Sequence, residues 1–267
     1  MNSQWIKVLN DLLTNGKESY PRGYKIKEIL NYHTKINMKY PILTIVERKL
    51  GYKFMCREAW WIMDGRNDVE SITNFSKAIS SFSNNGILFD GSYGPRVVDQ
   101  LRYIVDSFAE DINTRQAVLT IWRANPRPSK DIPCTVAIQW FIRGNKIHCI
   151  DTMRSSDIWL GWPYDVFNFT MLTGYIMLLL KQKCIDGLEL GNLYLNAGSC
   201  HLYENNFEKA KNIIENYSIG KCSEFNPYEF NNPLELKHYL KDLSENNIEE
   251  LNKYKSNFGR HIYESGN

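Results

Sequence analysis

Apolar residues at Trp5, Val8, Leu9, Leu12 and Leu13 recur at the spacing of one helical face, so residues 2–14 predict an amphipathic helix. The run "TNGKESYPRGYK" that follows carries Gly, Pro and charge and reads as a loop, which leaves Arg22 free to meet a ligand. "REAWWIM" (57–63) predicts a helix that stops at "DGRND", and "VESITNFSKAISSF" (69–82) predicts a second. A Gly-rich loop (84–96) separates these from a third helix over about 97–109. Period-two and β-branched runs then predict strands at 116–122, 135–143 and 146–154, the last two joined by "GN" as a hairpin. A buried or amphipathic helix over about 164–182 precedes a strand at 188–203 and a charged helix from about 205 to 216. Past "PYEFNNP" the chain is polar, rich in Lys, Glu and Asn. Strands and helices mix without a repeat or low-complexity linker, which indicates one α+β domain over 1–267.

Composition narrows the partners. With 267 residues, 43% hydrophobic, the chain can bury an ordinary core. A net charge of +2 gives no general electrostatic reason to expect a nucleic-acid polymer or an anionic membrane. The longest apolar stretch, "MLTGYIMLLL", is about half the ~20 residues of a membrane span. Six dispersed cysteines without a CxxC pair, and a start without secretory layout, suit free thiols in a reducing cytoplasm.

Several residues carry potential chemistry. Cys134 follows a proline at the entrance of an apolar strand; it is either a small buried residue or a nucleophile whose thiol pKa is lowered by arginines, for which Arg22, Arg115, Arg123 and Arg154 are available. His201 and Tyr203 stand two apart and share one face of a strand. Glu58 lies beside aromatic bulk, where burial raises a carboxyl pKa and suits it to proton transfer near neutrality. Asp157 and Asp165 are the acids in the otherwise apolar run "SDIWLGWPYDVFNF".

Taken together, "REAWWIMDGRND", "FDGSYGPR", "TRQAVLTIW", "IPCTVAIQWFIR", "MRSSDIWLGWPYD" and "NAGSCHLYENN" occur in an order that resembles the thymidylate synthase superfamily, and more closely its deoxycytidylate (dCMP) hydroxymethylase branch. The resemblance covers about residues 20–215, leaving a polar tail over about 220–267. It implies one large mixed β-sheet covered by helices, a second sheet face packed at a homodimer interface, and transfer of a one-carbon unit from 5,10-methylenetetrahydrofolate to C5 of a pyrimidine nucleoside monophosphate, with no metal. By resemblance Cys134 is the nucleophile that adds to C6, Glu58 manages protons at the base and the leaving folate, and Tyr93 assists removal of the C5 proton. Arg22, Arg154 and Ser155 match the phosphate site, with Arg115 reaching in from the partner subunit. His201 and Tyr203 match the pair that binds the sugar 3′-hydroxyl, and Asp157 the acid that holds the amide edge of the pterin. Trp60, Trp61, Trp159 and Trp162 suit core packing as well as stacking on folate, and are left outside the site.

Four departures qualify the resemblance. Gln116 stands where the family usually carries a second arginine, and Thr135 where thymidylate synthases usually have histidine. Asp165 stands where those enzymes carry an asparagine that pairs with uracil. An ionised carboxylate only accepts hydrogen bonds, so it opposes uracil O4 and attracts the cytosine N4 amino group. The other reading of Asp165 is a helix N-cap. The chain ends "GRHIYESGN", without the short hydrophobic tail that shields the thymidylate synthase intermediate, and this favours capture of the C5 methylene by water. The leading expectation is therefore a dCMP 5-hydroxymethylase of the cytoplasm, that of a bacterial host for a bacteriophage protein. CMP hydroxymethylase, dCMP methylase, thymidylate synthase or dUMP hydroxymethylase are alternatives, as is a nucleotide-binding protein without catalysis.

Overall fold

The computed structural model describes residues 1–260. Its centre is a six-stranded mixed sheet ordered β1-β2-β6-β5-β4-β3. In chain order the strands are β1 (Lys17–Ser19), β2 (Ile26–Asn37), β3 (Val118–Thr120), β4 (Thr135–Arg143), β5 (Lys146–Asp157) and β6 (Glu189–Tyr203). Among the described residues only the β5–β6 pair is parallel. A parallel pair needs a long crossover, and the helix Trp162–Gln182 supplies it.

The helices are α1 (Asn2–Asn15), α2 (Tyr52–Met63), α3 (Glu70–Thr73), α4 (Gly94–Glu110), α5 (Trp162–Gln182), α6 (Phe207–Glu215), α7 (Pro233–Glu245) and α8 (Ile248–Leu251). α5 is buried on nearly every side, as its unbroken apolar run requires, and lies on the sheet with Trp140 Nε1 donating to Thr173 Oγ1 at 3.0 Å. α2, α4 and α7 pack around α5, and α1 lies against β2. Trp5 pins α1 to the end of β5 by donating from Nε1 to Ile158 O at 2.8 Å. The other sheet face keeps Gln139, Phe141, Ile150, Tyr194 and Asn196 partly exposed and Thr152 open. No helix of the described residues is long and apolar enough to cross a membrane.

The expected large mixed sheet under helices is what the chain forms. Four local readings change. β1 falls inside the segment read as a loop, and β2 where no element is read from the pattern. Asn31, at φ 52°, sits in the middle of β2 opposite Gly198 and breaks the alternation that marks a strand. The helix expected over 69–82 is cut to α3 and a 3-10 turn at Lys77–Phe82. Its Ser and Thr side chains return to the main chain, as Thr73 Oγ1 does to Val69 O at 2.6 Å and Ser80 Oγ to Lys77 O at 2.8 Å, and so compete with helical bonding. The polar segment after residue 220 contains α7, which buries Leu236, Tyr239, Leu240 and Leu243. The residues from position 261 on, most of the segment on which the water-capture expectation rests, lie outside the described residues.

Candidate active site

Cys134 lies at the mouth of β4, where its carbonyl accepts from Arg154 N at 2.9 Å. The Arg154 guanidinium grips the same approach: Nε donates to Pro133 O and Nη2 to Ile132 O, both at 2.9 Å, and the group lies over Trp122. Arg154 thus holds the main chain that presents the sulfur. The thiol is not lowered, contrary to what the sequence suggests. Burial pushes it up to about 11, Asp165 adds repulsion, and Arg154 opposes them. The reason is first that the sulfur is largely buried, and then that carboxyl groups lie close to it while the Arg154 fork is spent on main-chain carbonyls.

Tyr93, at the start of α4, accepts at its hydroxyl from Thr135 N at 3.0 Å, one residue past the sulfur. Its ring stacks on Phe169 of α5 with centroids 6.4 Å apart. Burial, then the charges of Cys134 and Asp165, hold the phenol well above its ordinary value.

Asp165 projects from the first turn of α5. It is not a cap: Gly161 occupies that position and no side chain caps the helix. Its carboxyl oxygens make no hydrogen bond among the described residues, and Gly161 leaves room beside Oδ2. Burial, followed by Glu58 and Asp157, raises the carboxyl well above the ordinary aspartate range. Glu58, from α2, accepts from Asn168 Nδ2 at 2.7 Å. Burial pushes Glu58 up to about 7, with the Asn168 bond pulling against it. These are groups poised to exchange protons.

The end of β5 and the neighbouring β6 supply the second group of candidate residues. Asp157 pairs in register with His201, and Ser155 with Ser199. Asp157 Oδ1 accepts from Trp159 N at 2.8 Å and Leu160 N at 3.0 Å, shaping the turn into α5, while Oδ2 makes no hydrogen bond among the described residues. Burial raises Asp157 and lowers His201, and each charge would favour the other. His201 and Tyr203 meet edge to face at 5.2 Å. Arg22, held in the left-handed region at φ 55° on the turn Pro21–Gly23, donates to Tyr203 Oη at 3.4 Å. A non-glycine residue in that conformation is uncommon, and here it carries the guanidinium toward the β6 tyrosine. Arg115 is exposed before β3; its carbonyl accepts from Gln139 Nε2, and nothing ties its side chain to Cys134 of its own chain.

The structure therefore brings Cys134, Tyr93, Glu58, Asp165 and Asp157 into electrostatic contact, sets His201, Tyr203 and Arg22 side by side, and leaves Arg115 apart. The four tryptophans left outside the site are buried. Sequence reasoning missed three supports. Asn168 holds Glu58; its signal was a polar residue three positions after Asp165, hence on the same helical face. Arg48 donates to Trp159 O at 2.7 Å and stacks on that ring, fixing the turn after Asp157. Asp151, fully buried in β5, lies 3.5 Å from Thr135 Oγ1 and is held well above its ordinary value by burial and by Asp165.

A half-buried cysteine beside several desolvated carboxyls, an arginine and an imidazole has the chemistry for nucleophilic addition with proton transfer. Residues 3–257 match the thymidylate synthase family model. The chain belongs to that family, whose members are folate-dependent pyrimidine nucleotide one-carbon transferases. Among its relatives, the thymidylate synthase of Buchnera aphidicola subsp. Baizongia pistaciae (strain Bp) is 23% identical over 223 residues, 79% of this chain and 82% of that protein. The thymidylate synthase of Francisella tularensis subsp. holarctica (strain LVS) is 22% identical over 232 residues, 77% of this chain and 81% of the relative. The deoxyuridylate hydroxymethyltransferase of Bacillus phage SP01 is 28% identical over 224 residues, 74% of this chain but 56% of the longer phage protein.

Proposed function

We propose that the protein is a dCMP 5-hydroxymethylase, and the observation that carries this reading is the Asp165 carboxyl, which stands within electrostatic reach of the Cys134 sulfur and makes no hydrogen bond among the described residues. Cytosine offers an acceptor at N3 and a donor at N4. A desolvated aspartate that shares one proton with N3 and accepts from N4 satisfies both. That shared proton also makes C6 more electrophilic and keeps Asp165 from carrying a full charge beside the Cys134 thiolate. Attack by the sulfur is in this way coupled to arrival of the right base.

Cys134 forms the bond to C6, which moves electron density to C5. The C5 proton leaves with assistance from Tyr93, and Glu58 relays protons to and from the base. Arg22, Ser155, the partner's copy of Arg115 and the Nη1 donors that Arg154 does not spend on carbonyls take the phosphate; a guanidinium suits a phosphate dianion through its N–H donors. His201 and Tyr203 hold the sugar. The free Oδ2 of Asp157 fits an N–H donor such as the amide edge of a pterin, and 5,10-methylenetetrahydrofolate supplies the one-carbon unit when bound. The partly exposed sheet face is the surface on which a second subunit packs. C5 takes the one-carbon unit as the folate leaves, water adds to the resulting C5 methylene, and the Cys134–C6 bond then breaks to return the thiolate and release the hydroxymethyl product.

The second reading is a dUMP hydroxymethylase, favoured by the same buried Asp165. A neutral carboxyl can donate to uracil O4 and accept from N3–H, so burial weakens the exclusion that an ionised group would impose. Incubation with dCMP, CMP and dUMP in turn, each with methylenetetrahydrofolate, separates the readings by product mass. Gain of CH2O on dCMP supports the proposal. Gain of CH2, or turnover of dUMP alone, overturns it.

A further inference from the structure

Asn168 interrupts an apolar stretch of α5 and is itself only 6% exposed. Its Nδ2 donates to Glu58 Oε2 at 2.7 Å, while its Oδ1 is buried and has no hydrogen-bond partner among the described residues. A buried amide usually satisfies both ends. Asn168 stands three residues after Asp165, so one face of α5 carries both the acid offered to the base and the group that meets Glu58 on α2.

A residue that takes up and returns a proton must be accommodated both as a carboxylate and as a carboxylic acid. The Nδ2 donor suits the carboxylate. Once Glu58 is protonated it becomes an O–H donor, and the matching acceptor is Oδ1, brought in by a half-turn of the same amide. A hydrocarbon of that shape offers neither partner. We propose that Asn168 is the positioning residue for Glu58, serving its two protonation states with opposite ends of one amide.

This inference rests on the proposed proton-relay role of Glu58, and the test separates the two. The full chain is assayed for release of tritium from C5 of whichever of dCMP and dUMP the wild type turns over, with methylenetetrahydrofolate, and kcat/KM is followed against pH. Wild type is expected to show a limb near the Glu58 ionisation, at about 7. Asn168→Leu keeps the branched outline but removes a partner from each state of Glu58. Because the charge-assisted bond to the carboxylate is the stronger of the two, the limb moves upward by about one pH unit. Asn168→Asp, which keeps the shape, also moves it upward, because two adjoining carboxyls resist a second charge. Glu58→Gln abolishes the limb. If the limb stays in place in either folded Asn168 variant while Glu58→Gln removes it, the Asn168 assignment is overturned alone. If Glu58→Gln keeps the wild-type limb, the relay reading itself is overturned.

Discussion

Glu58 links the chemistry of the cleft to the stability of the fold. Its carboxyl rises from 4.5 to about 7 on folding because burial disfavours the charge more than Asn168 favours it. Below pH 4.5 the folded and unfolded chains both carry the proton, and the shift has no effect. Between 4.5 and about 7 the unfolded chain releases that proton while the folded chain keeps it, so stability falls as pH rises. At about 1.4 kcal/mol for each pH unit, this loss comes to about 3 kcal/mol, an order-of-magnitude figure. Glu58→Gln cannot ionise, and its amide oxygen can still accept from Asn168. Urea unfolding of both proteins, at one protein concentration and across this range, is the assay. Any fixed cost of the amide cancels when the difference between the proteins is compared across pH. The difference is expected to swing by about 3 kcal/mol in favour of the variant. Parallel stability curves would refute the reasoning, since they would mean that Glu58 ionises as it does in water.

Two further outcomes follow from the same electrostatics. Asp165 is held neutral up to a pH well above its usual range, so the preference for dCMP over dUMP should widen as pH rises and the carboxyl ionises, because the carboxylate still accepts from cytosine N4 but repels uracil O4; competition between the two nucleotides at a series of pH values measures this, and a constant ratio counts against the acid as the discriminating group. The free Cys134 thiol, pushed up to about 11, should be thiolate in roughly one molecule in a thousand near pH 8. Iodoacetamide, followed by peptide mass mapping, should therefore label exposed Cys184 ahead of half-buried Cys134. Preferential labelling of Cys134 in the free protein would contradict the raised thiol.

The parts of this fold that were legible in the sequence are those in which side-chain period and packing agree. Trp5, Val8, Leu9 and Leu12 mark α1 and are the residues it buries. "GN" marks the β4–β5 hairpin, and Gly144 and Asn145 both adopt positive φ there. β2 was not legible because Asn31 turns the strand over midway, so its apolar residues do not keep one face. α7 was hidden by a polar average over a segment whose apolar residues are spaced for one buried stripe. At the site, residue identities and chain order pointed to Cys134, Glu58 and Asp165. What could not be read was the sign of the field around the sulfur. That depends on Asp151, Asp157 and Asp165 converging from β5 and α5, and on Arg154 turning its donors to carbonyls, both consequences of tertiary packing.

The claim on which the account turns is that a carboxyl at position 165 selects cytosine for attack by the neighbouring sulfur. The most direct measurement is the ratio of kcat/KM for dCMP and dUMP in wild type and in Asp165→Asn. A base contact of this kind is worth about 1–3 kcal/mol, so the wild type should favour dCMP by roughly five- to 150-fold and the asparagine variant should reverse the preference. An unchanged ratio in a variant that still turns over either nucleotide would contradict it.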